Sequence, residues 1–228
     1  MSLLVNLMTE IKAVFLKDRA YSFFTEHDIH SKLAHIAEDT LGIQRELYVK
    51  TSDGFMASRV HHEYPTPFRC LMKGSSFRKV SEEEYQQERQ KNRRFRARRG
   101  YIDFVVLNAD YVASNKLSVV SGKRYAEFLE NLGNRRFPTL DLAIEVVYFL
   151  TFDQKLHKGI MERRIDSTNQ DYQKLVALMN FPEPHKIPFC KEAAMLFFSN
   201  TPHKSELQKK LGSSIKRDKK VGLHSFLK

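Results

Sequence analysis

Two carboxylates interrupt apolar stretches that otherwise have the composition of buried strands. Asp103 lies in the apolar run 101–107, and Glu145 lies in the run 142–150. Both runs are rich in β-branched and aromatic residues, which indicates strands that are buried on both faces. An unpaired carboxylate in such a strand would cost several kcal/mol or would take up a proton. The pattern therefore predicts a divalent cation at these acids, with a structural ion pair to a buried arginine as the alternative.

The composition is that of a globular protein. Of the 228 residues, 42% are hydrophobic and 11% aromatic, and no apolar run reaches the length of about eighteen residues that a membrane-spanning helix needs. The first residues lack the basic flank and long apolar core of a secretory signal. Cys70 and Cys190 stand far apart, outside any metal-ligand spacing, as is usual for reduced cysteines. These features predict a cytoplasmic protein with no membrane partner.

The net charge of +11 is concentrated in two segments. Residues 89–99 carry seven basic side chains and no acid, and residues 204–228 carry eight basic and two acidic side chains. A nearly neutral body with two basic arms is typical of a nucleic-acid-binding protein, although such segments also occur as solvated surfaces. The predicted phosphate-binding residues are arginines, which suit phosphate better than lysine does: Arg89, Arg93, Arg94, Arg96, Arg98 and Arg99.

The order of predicted elements divides the chain into three parts. Residues 1–24 hold an amphipathic helix over 3–17, residues 25–200 form the main body, and residues 201–228 form a basic helix or tail. Within the body we expect a helix capped by Thr25, an extended segment over 55–63 that ends at two prolines, and a helix from Ser81 to Gly100. The two carboxylate strands follow, separated by an insertion over 109–140. A helix from Asp166 to Met179 and a strand over 193–198 complete the body.

This order, a helix, three strands, a helix and a strand, resembles the PD-(D/E)XK nuclease superfamily with its restriction-endonuclease-like fold. Asp103, in Arg98-Arg99-Gly100-Tyr101-Ile102-Asp103-Phe104-Val105-Val106, matches the first acid of the family motif. Glu145, in Ala143-Ile144-Glu145-Val146-Val147, matches the second. The run Asp171-Tyr172-Gln173-Lys174-Leu175 resembles a feature of the following helix. The resemblance implies an αβββαβ core of the α/β (α+β) class, with a mixed central sheet and Mg²⁺ or Mn²⁺ held by Asp103 and Glu145.

One position departs from the family pattern. The family expects a lysine two residues after the second acid, and Val147 stands there. The basic residue is known to migrate in this family, so Lys174 on the following helix is the candidate replacement. The alternative is a protein that keeps the fold and binds nucleic acid without cutting it.

The sequence also leaves open which further acids belong to the site. Glu63, at the end of the first strand, is a candidate catalytic acid, and Glu26 in the first helix is a second candidate. The histidines at 27, 30, 61 and 62 lack the spacing of a structural zinc site and are interpreted as non-metal residues.

The function predicted from the sequence is metal-dependent hydrolysis of phosphodiester bonds, with DNA favoured over RNA. A helical or winged-helix regulator built on residues 25–41 is a weaker alternative, because it leaves the carboxylate strands unexplained. No nucleotide-binding glycine loop or serine-hydrolase elbow occurs in the chain. The sequence leaves a homodimer open.

Overall fold

The computed structural model describes residues 3–17, 26–43, 45–73, 76–149, 158–181, 186–199, 209 and 218–227. The helices are α1 Leu3–Lys17, α2 Glu26–Ile43, α3 Glu82–Lys91, α4 Ala109–Ser114, α5 Leu117–Val120, α6 Tyr125–Leu132 and α7 Lys158–Met179. The strands are β1 Tyr48–Lys50, β2 Met56–Ser58, β3 Val60–Lys73, β4 Ser76–Val80, β5 Arg98–Leu107, β6 Leu140–Phe149, β7 Cys190–Ser199 and β8 Val221–Leu227.

Six of the strands form one mixed sheet in the order β4-β3-β5-β6-β7-β8. The neighbours β4–β3, β3–β5 and β5–β6 are antiparallel, whereas β6–β7 and β7–β8 are parallel. The short strands β1 and β2 form a separate antiparallel pair. The prediction of a mixed central sheet flanked by helices is confirmed, with six strands where about four were expected.

The sheet is the middle of three layers because its central strands bury both faces. Phe104 and Val106 of β5 and Ile144 of β6 pack against α1 and α2. Val105 of β5 and Ala143 of β6 face the other way, into a core shared with α4 to α7. Each large apolar side chain buried in this way stabilises the fold by about 1.5–3 kcal/mol. A polar side chain in the middle of β5 or β6 must therefore find its partners in a neighbouring strand or a helix layer.

The sequence predicts that the extended segment ends at Pro65 and Pro67. In the structure, strand β3 continues through both prolines to Lys73. Pro65 and Pro67 are tolerated because β4 pairs with β3 only from Arg69 onward, so this stretch has a partner on one side alone. Between Pro65 and Arg69 the register with β5 shifts, and residues 66–68 stand opposite the single residue Gly100. This bulge lies next to the basic segment.

Helix α3 is shorter than expected and ends inside the basic segment. Ser81 caps its beginning, and Asn92 is its C-cap in an extended conformation. The Asn92 carbonyl accepts the backbone N–H of Phe95, whose ring lies 6.1 Å from that of Tyr85. The chain therefore turns after α3 instead of continuing as a helix to Gly100.

The last two residues of the basic segment are strand. Arg98 and Arg99 begin β5 and pair with Cys70 and Arg69 of β3. The predicted helix to Gly100 would have placed Arg89, Arg93 and Arg96 on one face, at positions i, i+4 and i+7. That prediction is wrong, because α3 ends at Lys91 and Arg93 and Arg96 lie beyond it.

The ends of the chain also differ from expectation. Helix α7 begins at Lys158, eight residues before the predicted start at Asp166. Residues 221–227, predicted as part of a helix or tail, form β8 beside β7. Thr25 and most of the predicted helix over 201–211 lie outside the described residues. Within the described part of the chain, no helix has both the length and the apolar character needed to span a membrane.

Candidate functional site

The two predicted acids lie side by side where the pairing of β5 with β6 stops. The ladder ends at the pair Phe104–Ile144, and the next position along the same register would set Asp103 against Glu145. There the Asp103 carboxylate accepts the backbone N–H of Val146 through Oδ2, at 2.9 Å. A side chain thus takes the place of the backbone hydrogen bond at this point, and the two acids stand on neighbouring strands.

Glu145 is buried against Lys174 of α7. The side chains are 1% and 7% exposed, and Lys174 Nζ lies 2.9 Å from Glu145 Oε1. The ammonium also donates a hydrogen bond to Asp171 Oδ1 at 3.2 Å. One positive charge is therefore shared between two carboxylates.

Lys174 comes from the helix that covers the position of the expected motif lysine. Val147 lies two residues beyond Glu145 on the same face of β6, since side chains alternate along a strand. It is buried in a core that includes Tyr172 and Leu175 of α7. The ammonium of Lys174 therefore lies on the same side of the sheet as the side chain of residue 147. A lysine at position 147 would point to that side as well.

The pKa values of this cluster follow from burial and crowding of like charges. Burial and, after it, the negative charge of Asp103 raise the pKa of Glu145 well above its ordinary value. Burial likewise raises the pKa of Asp171. Burial lowers the pKa of Lys174, but the charges of Glu145 and Asp171 outweigh that effect and raise it above the ordinary value. The three carboxylates outnumber the single ammonium.

Glu63 lies in line with the two acids across the sheet. The registers of β3 with β5 and of β5 with β6 align Glu63, Asp103 and Glu145 across three adjacent strands. Glu63 is exposed and has φ of 51°, a left-handed conformation that costs a residue other than glycine about 1–3 kcal/mol. Strain of this kind inside a strand is found more often at functional sites than elsewhere.

His30 enters the site from α2. Its Nε2 lies 3.9 Å from Asp103 Oδ2, is buried, and has no hydrogen-bond partner among the described residues. Its ring stacks on that of His62, with 6.2 Å between centroids. Burial, followed by repulsion from the neighbouring histidines, lowers the pKa of His30 against the attraction of Asp103 and Glu63. The site thus has a neutral imidazole on the side opposite Lys174.

The donor set suits a hard divalent cation. No three His, Cys, Asp or Glu side chains converge on one point in the described part of the chain. Mg²⁺ is commonly held by only one or two carboxylates, with water and substrate phosphate filling the remaining positions. Asp103 and Glu145 are the pair that could hold it, since they are adjacent and the ammonium of Lys174 is shared between Glu145 and Asp171. The side chain of Glu26 lies outside the described residues.

The predicted phosphate-binding arginines fall into two groups. Arg89 donates to the backbone carbonyls of Arg93 and Phe95, and the Arg99 guanidinium lies 3.9 Å from the centre of the Tyr125 ring. These two side chains help to hold the fold of the segment. The remaining four are exposed and form no ion pair with any described residue: Arg93, Arg94, Arg96 and Arg98.

No protein-family model, curated protein or solved structure matches this chain. What the site can do must therefore be inferred from its own residues. Two of them, His30 and Asp171, were not predicted as site residues. The spacing of Asp171 and Lys174 at i and i+3 puts both on one helix face, so Asp171 could have been found. Nothing in the sequence around His30 distinguishes it from an ordinary helix residue.

Proposed function

We propose that the protein is a metal-dependent nuclease that hydrolyses phosphodiester bonds in DNA, with Mg²⁺ or Mn²⁺ at Asp103 and Glu145. The order α2, β3, β5, β6, α7, β7 supports a restriction-endonuclease-like αβββαβ core. Strands β3, β5 and β6 are antiparallel neighbours in the sheet. The first three strands of a restriction-endonuclease-like core have the same arrangement. The short strand β4 lies at the edge of the sheet, outside this core.

The observation that carries the proposal is the incomplete neutralisation of the buried Glu145. The protein also contains a buried ion pair of purely structural type, at Arg59. Its guanidinium donates to Leu107 O at 2.8 Å, to Asp141 Oδ2 at 2.6 Å and to Glu46 Oε2 at 3.0 Å. Every nitrogen of Arg59 is bonded, as expected of a charge buried for stability. Glu145 is more deeply buried, and yet it shares the ammonium of Lys174 with Asp171. A buried carboxylate whose charge is only partly offset suits a cationic ligand.

The chain's own residues then have distinct roles. Asp103 and Glu145 supply oxygen ligands, and the Val146 N–H fixes the carboxylate of Asp103 before any ligand arrives. Lys174 places a permanent positive charge where it can stabilise negative charge that develops on the phosphate. Glu63 is positioned to hold water at the exposed side of the row. A bound divalent cation would polarise the scissile phosphate and lower the pKa of the attacking water.

The four exposed arginines of the basic segment, which form no ion pair with a described residue, would bind the DNA backbone. They precede or begin β5, the strand that carries Asp103. Arg98 is five residues from Asp103 along that strand, which at about 3.3 Å per residue is roughly 16 Å, the span of a few nucleotides. Phosphates bound there would place a neighbouring part of the duplex near the acids.

The second candidate function is DNA or RNA binding without cleavage. It is favoured by the Glu145–Lys174 contact, which partly neutralises the acid without a metal, and by the apolar residue at position 147. In that case the acids and Lys174 would be a remnant of a catalytic site.

Incubation with supercoiled plasmid distinguishes a nuclease from a protein that binds nucleic acid without cutting it. A nuclease nicks or linearises the plasmid in Mg²⁺ or Mn²⁺ and stops in EDTA, while a binding protein only retards it on a gel. We expect Asp103→Asn and Glu145→Gln to abolish cleavage and to keep DNA binding. Asp110→Asn, which removes an exposed acid on α4, is the matched control and should cut normally. Undiminished cleavage by both site variants would refute the assignment.

A further inference from the structure

Lys174 lies between two carboxylates that hold it in different ways. Its contact with Glu145 Oε1, on β6, is 2.9 Å, and its hydrogen bond to Asp171 Oδ1, on its own helix, is 3.2 Å. Asp171 is three residues before Lys174 on α7, and its side chain is 29% exposed, against 1% for Glu145. The ammonium is thus shared between an acid of its own helix and an acid of the strand.

We propose that Asp171 is a positioning residue that shares Lys174 with Glu145, so that the single ammonium does not fully neutralise Glu145 and Glu145 stays available to the cation. This inference rests on the proposed function, because it assumes that Glu145 is a metal ligand. It adds to the site a residue that touches neither the cation nor the phosphate and acts through Lys174.

The physical basis is competition for one carboxylate. A buried ammonium needs a negative partner, since leaving it unpaired is strongly destabilising. Without Asp171, the remaining contacting carboxylate is that of Glu145, and a complete Lys174–Glu145 pair would compete with a divalent cation for the same oxygens. With Asp171 present, Lys174 stays paired when Glu145 turns to the cation, and its charge remains near the phosphate site.

This arrangement makes Lys174 both a competitor of the cation and a participant in the reaction. Removing the lysine should therefore strengthen cation binding while it weakens or abolishes cleavage. Removing Asp171 should have the opposite effect on binding, because Lys174 then turns to Glu145. A residue with a merely structural role would not give effects of opposite sign at these two neighbouring positions.

The experiment measures Mn²⁺ affinity directly, by electron paramagnetic resonance of free Mn²⁺, in the full chain. The variants are Asp171→Asn, Lys174→Met and the double variant. Asp166→Asn, on the same helix, is the matched control, and Asp171→Glu tests rescue by a longer carboxylate. We expect Asp171→Asn to bind Mn²⁺ about tenfold more weakly and Lys174→Met to bind it more tightly, with little change from Asp166→Asn.

The double variant gives the decisive comparison. If Asp171 acts through Lys174, Asp171→Asn should weaken Mn²⁺ binding at least about fivefold less in the Lys174→Met background than in the wild type. Equal effects in both backgrounds would overturn the inference and leave the proposed nuclease intact, because Asp171 would then act only by its own charge. Absence of Mn²⁺ binding by the wild type would overturn both. Since Asp171 is partly exposed, Asp171→Ser serves as a second carboxylate deletion if the asparagine variant unfolds.

Discussion

The carboxylate of Asp103 accepts the backbone N–H of Val146 at 2.9 Å, in the position where a strand carbonyl would otherwise stand. The bond fixes the side chain on β5 relative to the strand that carries Glu145. A ligand held in place before its cation binds does not have to be ordered on binding, which favours affinity and precise geometry. The same bond gives Asp103 a second, structural role that must be separated from its chemical one.

Replacing Asp103 by asparagine or by alanine separates these roles. The asparagine side chain keeps an oxygen that can accept from Val146, so Asp103→Asn should fold with nearly unchanged stability and lose cation binding. Alanine leaves the buried N–H of Val146 without a partner, and we expect Asp103→Ala to lower the free energy of unfolding by about 1–3 kcal/mol. Urea denaturation in EDTA measures both. Equal stability of the two variants would show that the hydrogen bond contributes nothing.

Cation binding should depend on pH through Glu145. Burial and the nearby Asp103 charge raise the pKa of Glu145, so the folded protein without metal retains a proton there at pH values where the unfolded chain has lost it. Stability in EDTA should therefore fall as pH rises from the ordinary glutamate value towards the raised one. A cation needs the deprotonated carboxylate, and its binding should release a proton and tighten with pH.

Calorimetry of Mn²⁺ binding in two buffers of different ionisation enthalpy measures this release. The affinity should increase as the pH rises above the ordinary glutamate value, and up to one proton should leave per ion bound. Glu145→Gln, which cannot titrate, is the control: it should show neither the release attributable to this carboxyl nor the loss of stability with rising pH. Proton release that is the same in wild type and Glu145→Gln would place the titration elsewhere.

The central strands were predictable because their signals are local. Runs of β-branched and aromatic residues around Asp103 and Glu145 identify β5 and β6, and the helical spacing of apolar residues identifies α1 and α2. The acids themselves stood out because charge is costly in such strands. Their adjacency depended on the order of elements, which the pairing of β5 with β6 confirms.

The errors arose where distant parts of the chain decide the local structure. Pro65 and Pro67 would end a strand with partners on both sides, but β4 begins to pair only after them. Residues 92–99 have no signal against a helix until Gly100, and it is pairing with β3 that draws Arg98 into a strand. The contact of Asp171 with Lys174 was within reach of helix spacing, whereas the approach of His30 to Asp103 depends on how α2 packs on the sheet.

The basic segment gives a prediction about DNA affinity. Replacing Arg94, Arg96 and Arg98 by glutamine removes three exposed charges that have no ion-pair partner among the described residues, so the fold should be retained. Affinity for all duplex sequences should fall alike, and the slope of log K against log salt should flatten by about 0.9 for each lost phosphate contact. Fluorescence anisotropy with a labelled duplex at several salt concentrations measures both quantities.

The control for this triple variant removes the same charge elsewhere. Lys50, Lys116 and Lys123 are exposed and lie outside the basic segment. Their replacement by glutamine should change affinity and salt slope much less. If the two triple variants lose affinity equally, the protein binds DNA through its overall charge and the segment is not a distinct interface.

Gly100 provides a test of the bulge that joins the basic segment to the sheet. A Cβ atom at this position would lie 2.6 Å from Thr66 Oγ1 and 2.7 Å from Cys70 Sγ, both on buried side chains of β3. Gly100→Ala should therefore lower the free energy of unfolding by about 1–3 kcal/mol, the usual effect of overpacking. At Gly133, after α6, a Cβ would meet nothing closer than 3.8 Å, so Gly133→Ala should change stability by less than about 0.5 kcal/mol.

Adding Cys70→Ala removes one of the two atoms that the new methyl group meets, and should recover part of the stability lost in Gly100→Ala. Because the bulge lies next to Arg98 and Arg99 at the start of β5, the same variant should also weaken DNA binding where it remains folded. Chemical denaturation of the single and double variants measures the coupling between positions 70 and 100. Strictly additive effects, or a Gly100→Ala variant as stable as Gly133→Ala, would mean that β3 does not fold over Gly100 as closely as its bulge indicates.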